Sequence, residues 1–137
     1  MKKKIITIDG PAASGKGKIA KYISRKWKLK HLDSGILYRK IAFHLIKNKI
    51  NHESHSEIKN LIKNISFISF RNSKKLRYEK VSKLASKIAT LKFIRIRVNE
   101  FQRSFVKNDI KNAGFVVDGR DIGSVVFKKA DLKLYIE

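Results

Sequence analysis

The sequence predicts an α/β protein, a three-layer, doubly wound parallel β-sheet with helices on both faces, interrupted by a small α+β insert. Two short apolar runs, Lys4–Ile8 and Phe115–Val117, are rich in β-branched residues, which is typical of buried parallel strands. The first run leads through a glycine-rich turn into a segment with helical spacing, and such strand–loop–helix units build parallel sheets. Residues 45–90 lack this pattern, so we predict that they form the insert.

The first part of the core is predicted at residues 1–44. In chain order we predict a strand at Lys4–Ile8, a glycine-rich loop at Gly10–Gly17, a helix at Lys18–Trp27, a strand at His31–Asp33, and a helix that Ser34 caps and whose apolar face is Leu37, Ile41 and Leu45. The first helix has apolar residues at Ile19, Ile23 and Trp27, so Trp27 is predicted to pack in the core.

Within the insert we predict a strand at Ile65–Phe70, a turn at Arg71–Lys75 and a helix at Lys80–Ala89. The second part of the core is predicted at residues 91–137, with a longer helix that has the apolar stripe Ile94, Val98, Phe101 and Phe105, and strands at Phe115–Val117 and Leu132–Ile136. A final parallel strand without a following helix leaves one face of the sheet uncovered. We therefore expect either a fragment of a longer protein or a natural short form.

The composition excludes several classes of protein and site. The chain has 137 residues, enough for one domain, and no cysteine, which excludes disulfides and thiolate metal sites. The apolar stretch at the N-terminus soon reaches Asp9, which does not fit a signal peptide, and no run is long enough to span a membrane. We expect a cytoplasmic monomer without a membrane partner.

The charge balance is strongly basic, with 33 Lys and Arg residues against 11 Asp and Glu residues and a net charge of +22. A dense positive surface would suit a nucleic-acid backbone. The lysines are scattered along the chain, however, and Ile and Asn are abundant, as an A+T-rich coding sequence would produce. We favour compositional drift with steering of a polyanionic substrate over specific nucleic-acid binding, and a basic nucleic-acid-binding module stays the alternative.

Between the first predicted strand and helix, the segment Gly-Pro-Ala-Ala-Ser-Gly-Lys at Gly10–Lys16 satisfies the phosphate-loop pattern G-x-x-x-x-G-K. Its glycines let backbone N–H groups turn toward a phosphate, and the N-terminus of the next helix adds a positive dipole. Lys16 is predicted to reach the β- and γ-phosphates. Gly17 follows the lysine, and this resembles the G-K-G-T of nucleoside monophosphate kinases, with Lys18 in place of the threonine.

Three further motifs resemble those of cytidylate kinases and occur in the order of that family. Asp33–Arg39 resembles D-[ST]-G-x-x-Y-R, Ala85-Ser86 with Arg95 resembles the A-S…R segment, and Asp118–Phe127 resembles D-G-R-D-[IM]-G-T-V-V-F. Together with the phosphate loop, these motifs extend over nearly the whole chain. The sequence therefore resembles bacterial-type cytidylate kinases.

The resemblance implies strand order 2-3-1-4-5 with the last strand absent, and an insert that binds CMP. The implied reaction moves the γ-phosphate of ATP to CMP or dCMP in pyrimidine nucleotide metabolism. The implied ATP-binding residues are Gly10, Pro11, Ala12, Ala13, Ser14, Gly15, Lys16, Gly17 and Lys18. Asp118 ends a predicted strand, as does the Mg²⁺-organising aspartate of phosphate-loop enzymes, and we expect it to hold Mg²⁺ through water.

The same resemblance implies a site for the acceptor nucleotide. The implied CMP-binding residues are Ser34, Arg39, Ser86, Arg95, Arg120 and Asp121, and the implied catalytic residues are Lys16, Arg39 and Arg120. A carboxylate at Asp121 suits the N4 amino group of cytosine, and Arg95 suits its N3 and O2 acceptors. A phosphate-loop kinase of another small substrate stays an alternative, although it would not explain this pair. Asp9 is interpreted as structural and is left outside the site.

Overall fold

The computed structural model describes residues 3–64 and 68–137, which form nine regular elements. In chain order these are β1 (Lys4–Asp9), α1 (Lys16–Trp27), β2 (Lys30–Asp33), α2 (Ser34–Lys47), α3 (His55–Lys63), α4 (Glu79–Ile88), α5 (Lys92–Asn108), β3 (Gly114–Gly119) and β4 (Leu132–Tyr135). A 3₁₀ turn at Lys74–Arg77 precedes α4, and a π-helical turn at Ile122–Val126 follows β3. Within these described ranges no helix is both long and apolar enough to cross a membrane.

The four strands form one sheet in the order β2-β3-β1-β4, and every pairing is parallel. The central pair runs from Lys4 opposite Gly114 to Asp9 opposite Gly119. The predicted α/β class is confirmed, and the order equals the first four strands of 2-3-1-4-5.

The sheet is covered on both faces within the compact unit formed by Met1–Ser34 and Phe101–Glu137. On one face, Ile8 and Val116 are fully buried against Ala20 and Ile23 of α1. On the other face, the ring of Phe115 lies 6.2 Å from that of Phe105 on α5. Because side chains alternate along a strand, neighbours such as Phe115 and Val116 serve opposite layers. The predicted three-layer arrangement follows from this alternation.

A second compact unit comprises Gly35–Glu100, and the insert predicted at residues 45–90 lies within it. Its described elements are helical: most of α2, all of α3 and α4, and the first half of α5. Arg97 on α5 donates to the carbonyl oxygens of Ile62 (3.1 Å) and Lys63 (3.3 Å), which joins it to the last turn of α3. Carbonyls of a last helical turn lack partners in their own helix, so an arginine there satisfies them.

The strand predicted at Ile65–Phe70 falls partly on residues 65–67, which lie outside the described residues. The remainder, Ile68 to Phe70, does not form a strand. A strand requires a partner for its backbone groups, and the other described elements of this unit are helices. Ile68 is nevertheless buried, and the hydroxyl of Ser69 accepts a hydrogen bond from Lys40 Nζ at 2.5 Å.

One prediction of core packing was wrong, and a second was met only in part. Trp27 is 56% exposed, because it is the last residue of α1 and the chain leaves the helix at Lys28 in a left-handed conformation (φ 54°). Its ring lies beside Lys26 Nζ, 5.0 Å from the ring centroid. On α5 the buried stripe continues from Val98 to Gln102 and Val106, whereas Phe101 and Phe105 are only half-buried. Gln102 can be buried because its side-chain oxygen accepts a hydrogen bond.

An ion pair joins the start of β1 to the loop after α5, and it makes stability depend on acid. The Asp109 carboxylate accepts from Lys3 Nζ at 2.6 Å and from the Asn112 backbone N–H at 2.9 Å. The hydrogen bond from Lys3, aided by those from Asn112, lowers the pKa of Asp109 from 3.8 to about 2. Because the folded pKa lies below the unfolded value, the pair stabilises the protein above pH 4, roughly, and this contribution disappears as pH falls toward 2.

We therefore expect Asp109→Asn to lower the free energy of unfolding at neutral pH and to flatten its decline between about pH 4 and pH 2. Urea unfolding of both proteins at a series of pH values measures this slope. A variant as acid-sensitive as the wild type would show that other carboxylates dominate.

Candidate functional site

The carboxyl ends of the four parallel strands meet at one edge of the sheet, and three acidic residues end strands there. Asp9 ends β1, Asp33 ends β2, and Asp118 lies one residue before the end of β3. Asp33 is the register partner of Asp118, and Asp9 that of Gly119. In open parallel sheets ligands bind outside this edge. The motif acids therefore converge where a ligand is expected.

The glycine-rich loop connects β1 to α1 at this edge. Ala13 (φ 60°) and Gly15 (φ 88°) have left-handed backbone conformations, which turn the loop sharply. Gly15 is the N-cap of α1 without a side-chain cap, so the first backbone N–H groups of the helix have no such partner. Helix α1 begins at Lys16, two residues before the predicted start, and Lys16 Nζ donates to the Pro11 carbonyl at 3.0 Å. The loop thus has the geometry of an anion-binding turn.

Two glycines of the loop show what lies next to it. A Cβ atom at Gly10 would lie 2.5 Å from the Ile136 carbonyl oxygen, so only glycine fits there without movement of the backbone. A Cβ atom at Gly17 would lie 3.7 Å from Asp118 Oδ2, which places that carboxylate beside the first turn of α1. The structure therefore brings Asp118 and the loop together.

Asp118 itself is buried at the end of β3. Its Oδ1 lies 2.9 Å from His31 Nε2, on the neighbouring strand β2. A buried carboxylate needs a hydrogen-bonding partner, and His31 provides one while Oδ2 faces α1.

The segment after β3 presents Arg120 and Asp121, both exposed, at the same edge. Asp121 has a left-handed backbone (φ 57°) and precedes the π-helical turn. An open cavity of about 590 Å³ is lined by residues of the loop, of this segment and of β4, namely Asp9, Gly10, Pro11, Arg120, Asp121, Gly123, Ser124, Lys133, Leu134 and Tyr135. Parts of the phosphate loop and the two exposed polar residues therefore share one cavity.

Ser34, another predicted site residue, is buried as the first residue of α2. Its hydroxyl donates to Gln102 Oε1 at 2.5 Å. A Cβ atom at Gly119 would lie 3.0 Å from Ser34 Cβ, so Ser34 is adjacent to the end of β3.

The other three predicted site residues belong to the unit Gly35–Glu100. Arg39 is half-buried on α2, and Ser86 and Arg95 are exposed. Arg95 Nη1 donates to the carbonyl oxygens of Thr90 (3.0 Å) and Ala89 (3.4 Å), directly after α4. Ser86 lies one helical turn before Ala89, so the structure brings Ser86 and Arg95 to the same end of α4.

Sequence reasoning missed two side chains at this edge, since His31 contacts Asp118 and Gln102 contacts Ser34. Asp9, which was interpreted as structural, accepts hydrogen bonds from two backbone N–H groups of the π-helical turn. Only for His31 did the sequence contain a signal, because residues two apart on a strand share a face and Asp33 ends the same strand.

Comparison with known proteins gives a consistent result. A family model described as cytidylate kinase matches residues 6–137. The cytidylate kinase of Fusobacterium nucleatum subsp. nucleatum is 37% identical over 142 residues, covering 96% of this chain and 63% of that protein. The cytidylate kinase of Phytoplasma mali is 37% identical, with 96% of this chain and 61% of that protein covered. The chain thus spans less than two thirds of the length of these curated relatives.

Among solved structures, that of TT1252 from Thermus thermophilus matches with a TM-score of 0.49 and 17% identity, covering 99% of this chain and 66% of that one.

Proposed function

The chain belongs to the cytidylate kinase family, and from that premise we propose that it transfers the γ-phosphate of ATP to CMP or dCMP, giving CDP or dCDP. The observation that carries the proposal is the shared cavity, in which Gly10 of the phosphate loop lies with Arg120 and Asp121. Phosphoryl transfer needs such an arrangement, since the donor and acceptor phosphates must meet in line. A cysteine-free chain fits the cytoplasmic location that we propose for it.

The donor nucleotide is assigned to the loop from Gly10 to Lys18. The left-handed turns at Ala13 and Gly15 and the N-terminus of α1 supply N–H groups for the phosphates, and Lys16 supplies a mobile positive charge. Lys18 is exposed in the first turn of α1, where its backbone N–H is retained and its side chain adds a second cation.

Magnesium fits the residues present. Mg²⁺ keeps several waters and is held by one or two carboxylates together with substrate phosphates. Asp118 Oδ2 faces the first turn of α1, while Oδ1 is occupied by His31. Within the described ranges, no group of three acidic or histidine side chains could hold a metal alone, which suits an ion bound through water and phosphate. The ion would neutralise charge on the transferred phosphoryl group.

For the acceptor nucleotide we propose the residues that the family motifs imply. Arg39 and Arg120 would clamp the CMP phosphate, because a guanidinium forms paired hydrogen bonds with phosphate oxygens. Asp121 would accept from the cytosine amino group, and Ser86 and Arg95 would bind the opposite side of the base edge. Ser34 is proposed as a further contact. Arg95 uses one guanidinium nitrogen for Ala89 and Thr90, so its other N–H groups are available to a base.

Catalysis in this scheme requires no protein nucleophile. Lys16, Arg39 and Arg120 hold the phosphates and balance the charge that spreads over the transferred group. The remaining contribution is orientation, which the rigid edge of the sheet supplies.

Calorimetric titration with CMP, dCMP, UMP and ATP tests the proposal. We expect CMP and dCMP to bind at least about tenfold more tightly than UMP, because Asp121 faces a second acceptor when the base is uracil. Equal affinity for UMP would contradict the base-binding residues. Binding of ATP without binding of CMP, dCMP or UMP would favour a kinase of another small substrate, and salt-sensitive binding of DNA alone would favour a nucleic-acid-binding module.

A further inference from the structure

The segment that presents Arg120 and Asp121 is held at its beginning by a single carboxylate. Asp9 Oδ1 accepts from the backbone N–H of Ile122 at 2.6 Å, and Asp9 Oδ2 accepts from that of Gly123 at 2.9 Å. These are the first two N–H groups after Asp121. Hydrogen bonds from backbone N–H groups to an ionised carboxylate are stronger than those between neutral groups. Both carboxylate oxygens of Asp9 are therefore used to fix the residues next to Asp121.

The same segment is held at its end by an arginine. Arg103 on α5 donates from Nε to the Val126 carbonyl at 3.0 Å and from Nη2 to the Val125 carbonyl at 3.2 Å. In the π-helical turn Ile122–Val126, the N–H groups at the beginning thus donate to a carboxylate and the carbonyl groups at the end accept from a guanidinium. This arrangement agrees with the dipole of a helical turn, which is positive at its N-terminus. Asp9 and Arg103 lie in the same compact unit as the turn.

The turn needs such support, because its geometry is unfavourable by itself. Asp121 has a left-handed backbone conformation, and π-helical turns are rare and are frequently found at functional sites. The turn also lies directly on the sheet, where a Cβ atom at Gly123 would be 2.6 Å from Thr7 Oγ1. A conformation of this kind persists only when its surroundings determine it.

We infer that Asp9 and Arg103 are positioning residues, which hold Asp121 and Arg120 in the orientation that binds the acceptor nucleotide. The inference rests on the proposed function, since it assigns the held segment to CMP. Asp9 also ends β1 directly before the phosphate loop, which is assigned to ATP. One side chain would therefore set the distance between the phosphate loop and the segment that presents Arg120 and Asp121.

Asp9→Asn is the direct test, because asparagine keeps the size but can accept through only one of its two atoms. We expect CMP to bind about tenfold more weakly and the preference for CMP over UMP to fall by a similar factor. ATP affinity should change by less than about twofold. Arg103→Met should act in the same direction, and Arg103→Lys should recover part of the loss. Calorimetric titrations with the three nucleotides give these values.

Asp109→Asn is the matched control. Asp109 also accepts a backbone N–H in the same compact unit, but it lies in the loop before β3, at the opposite edge of the sheet. We expect this variant to keep the CMP affinity and the preference over UMP. Thermal unfolding of all variants shows whether they are folded to the same extent.

Amide hydrogen exchange provides a readout that needs no ligand. Exchange at Ile122 and Gly123 should accelerate in Asp9→Asn and stay unchanged in Asp109→Asn. The inference is overturned if Asp9→Asn keeps wild-type CMP affinity, or if it loses CMP and ATP binding equally. A wild-type protein without preference for CMP would contradict the proposed base-binding residues, while exchange at the two amides would still show whether Asp9 holds the turn.

Discussion

Replacing Lys16 by alanine is expected to lower phosphoryl transfer by about a thousandfold or more while leaving the affinity for CMP unchanged. Lys16 begins α1 behind the left-handed Gly15 and lies over the loop, where its ammonium group would meet the β- and γ-phosphates. Removing a positive group that stabilises charge in the transition state costs two to five orders of magnitude, roughly, in related systems. A coupled assay of ADP release measures the rate, and calorimetry measures CMP binding.

Lys21→Ala provides the matched control for this experiment. Lys21 is exposed on the same helix and lies outside the loop, so both rate and CMP affinity should remain those of the wild type. If Lys16→Ala lost CMP affinity as strongly as turnover, with unchanged thermal unfolding, separate donor and acceptor sites would be untenable.

Replacing Asp121 by asparagine is the second change with a large expected effect. Asparagine can present either an oxygen or an amino group, so it can pair with cytosine or with uracil. The preference for CMP over UMP should therefore fall by the value of one base contact, about 1–3 kcal/mol, or roughly 5- to 150-fold. The ratio of the two dissociation constants, measured by calorimetry, gives the result directly.

Asp131→Asn is the corresponding control. Asp131 is an exposed acid just before β4, at the amino end of the sheet, and it accepts from the Ile5 backbone N–H at 2.8 Å. Its replacement should leave the nucleotide preference intact. If the Asp121→Asn variant still preferred CMP as strongly as the wild type, Asp121 would not discriminate between the bases, and Ser86 and Arg95 would have to do so.

Much of the fold could be predicted because local patterns and tertiary packing agree. The β-branched run before Asp9 forms a strand, and the Phe-Val-Val run before Asp118 forms a fully buried strand between two others. In both cases strand propensity, burial on two faces and a following turn predict the same element.

The failures occur where tertiary context decides. Periodicity alone predicts that Phe101 lies in the buried stripe of α5, but the next residue, Gln102, is buried because Ser34 donates to it. Spacing also placed Trp27 in the core, although the helix ends there and nothing in the pattern marks that end as exposed. Amphipathic periodicity predicts approximately which face of a helix is buried. Which individual residues are buried on that face depends on their contacts with other elements.

The site shows the same division. Motifs in the sequence predicted which segments meet at the carboxyl edge of the sheet, because parallel strands end there together. The partners of the side chains that orient these segments were not predictable. Asp9 and Ile122 are 113 residues apart in the chain, and His31 and Asp118 are 87 residues apart. Such pairs have no spacing signature, since only the folded sheet makes them neighbours.

The position of β1 in the sheet also has a consequence for the order of folding. Its two partner strands both come from the far end of the chain, with Lys4 opposite Gly114 and Ile6 opposite Leu132. During synthesis, both backbone edges of β1 therefore stay unpaired until the residues of β3 and β4 have left the ribosome. Closing so long a segment costs chain entropy before any contact is gained, which is characteristic of slow-folding domains. The nascent chain would therefore acquire its nucleotide-binding loop only after β3 and β4 have been synthesised.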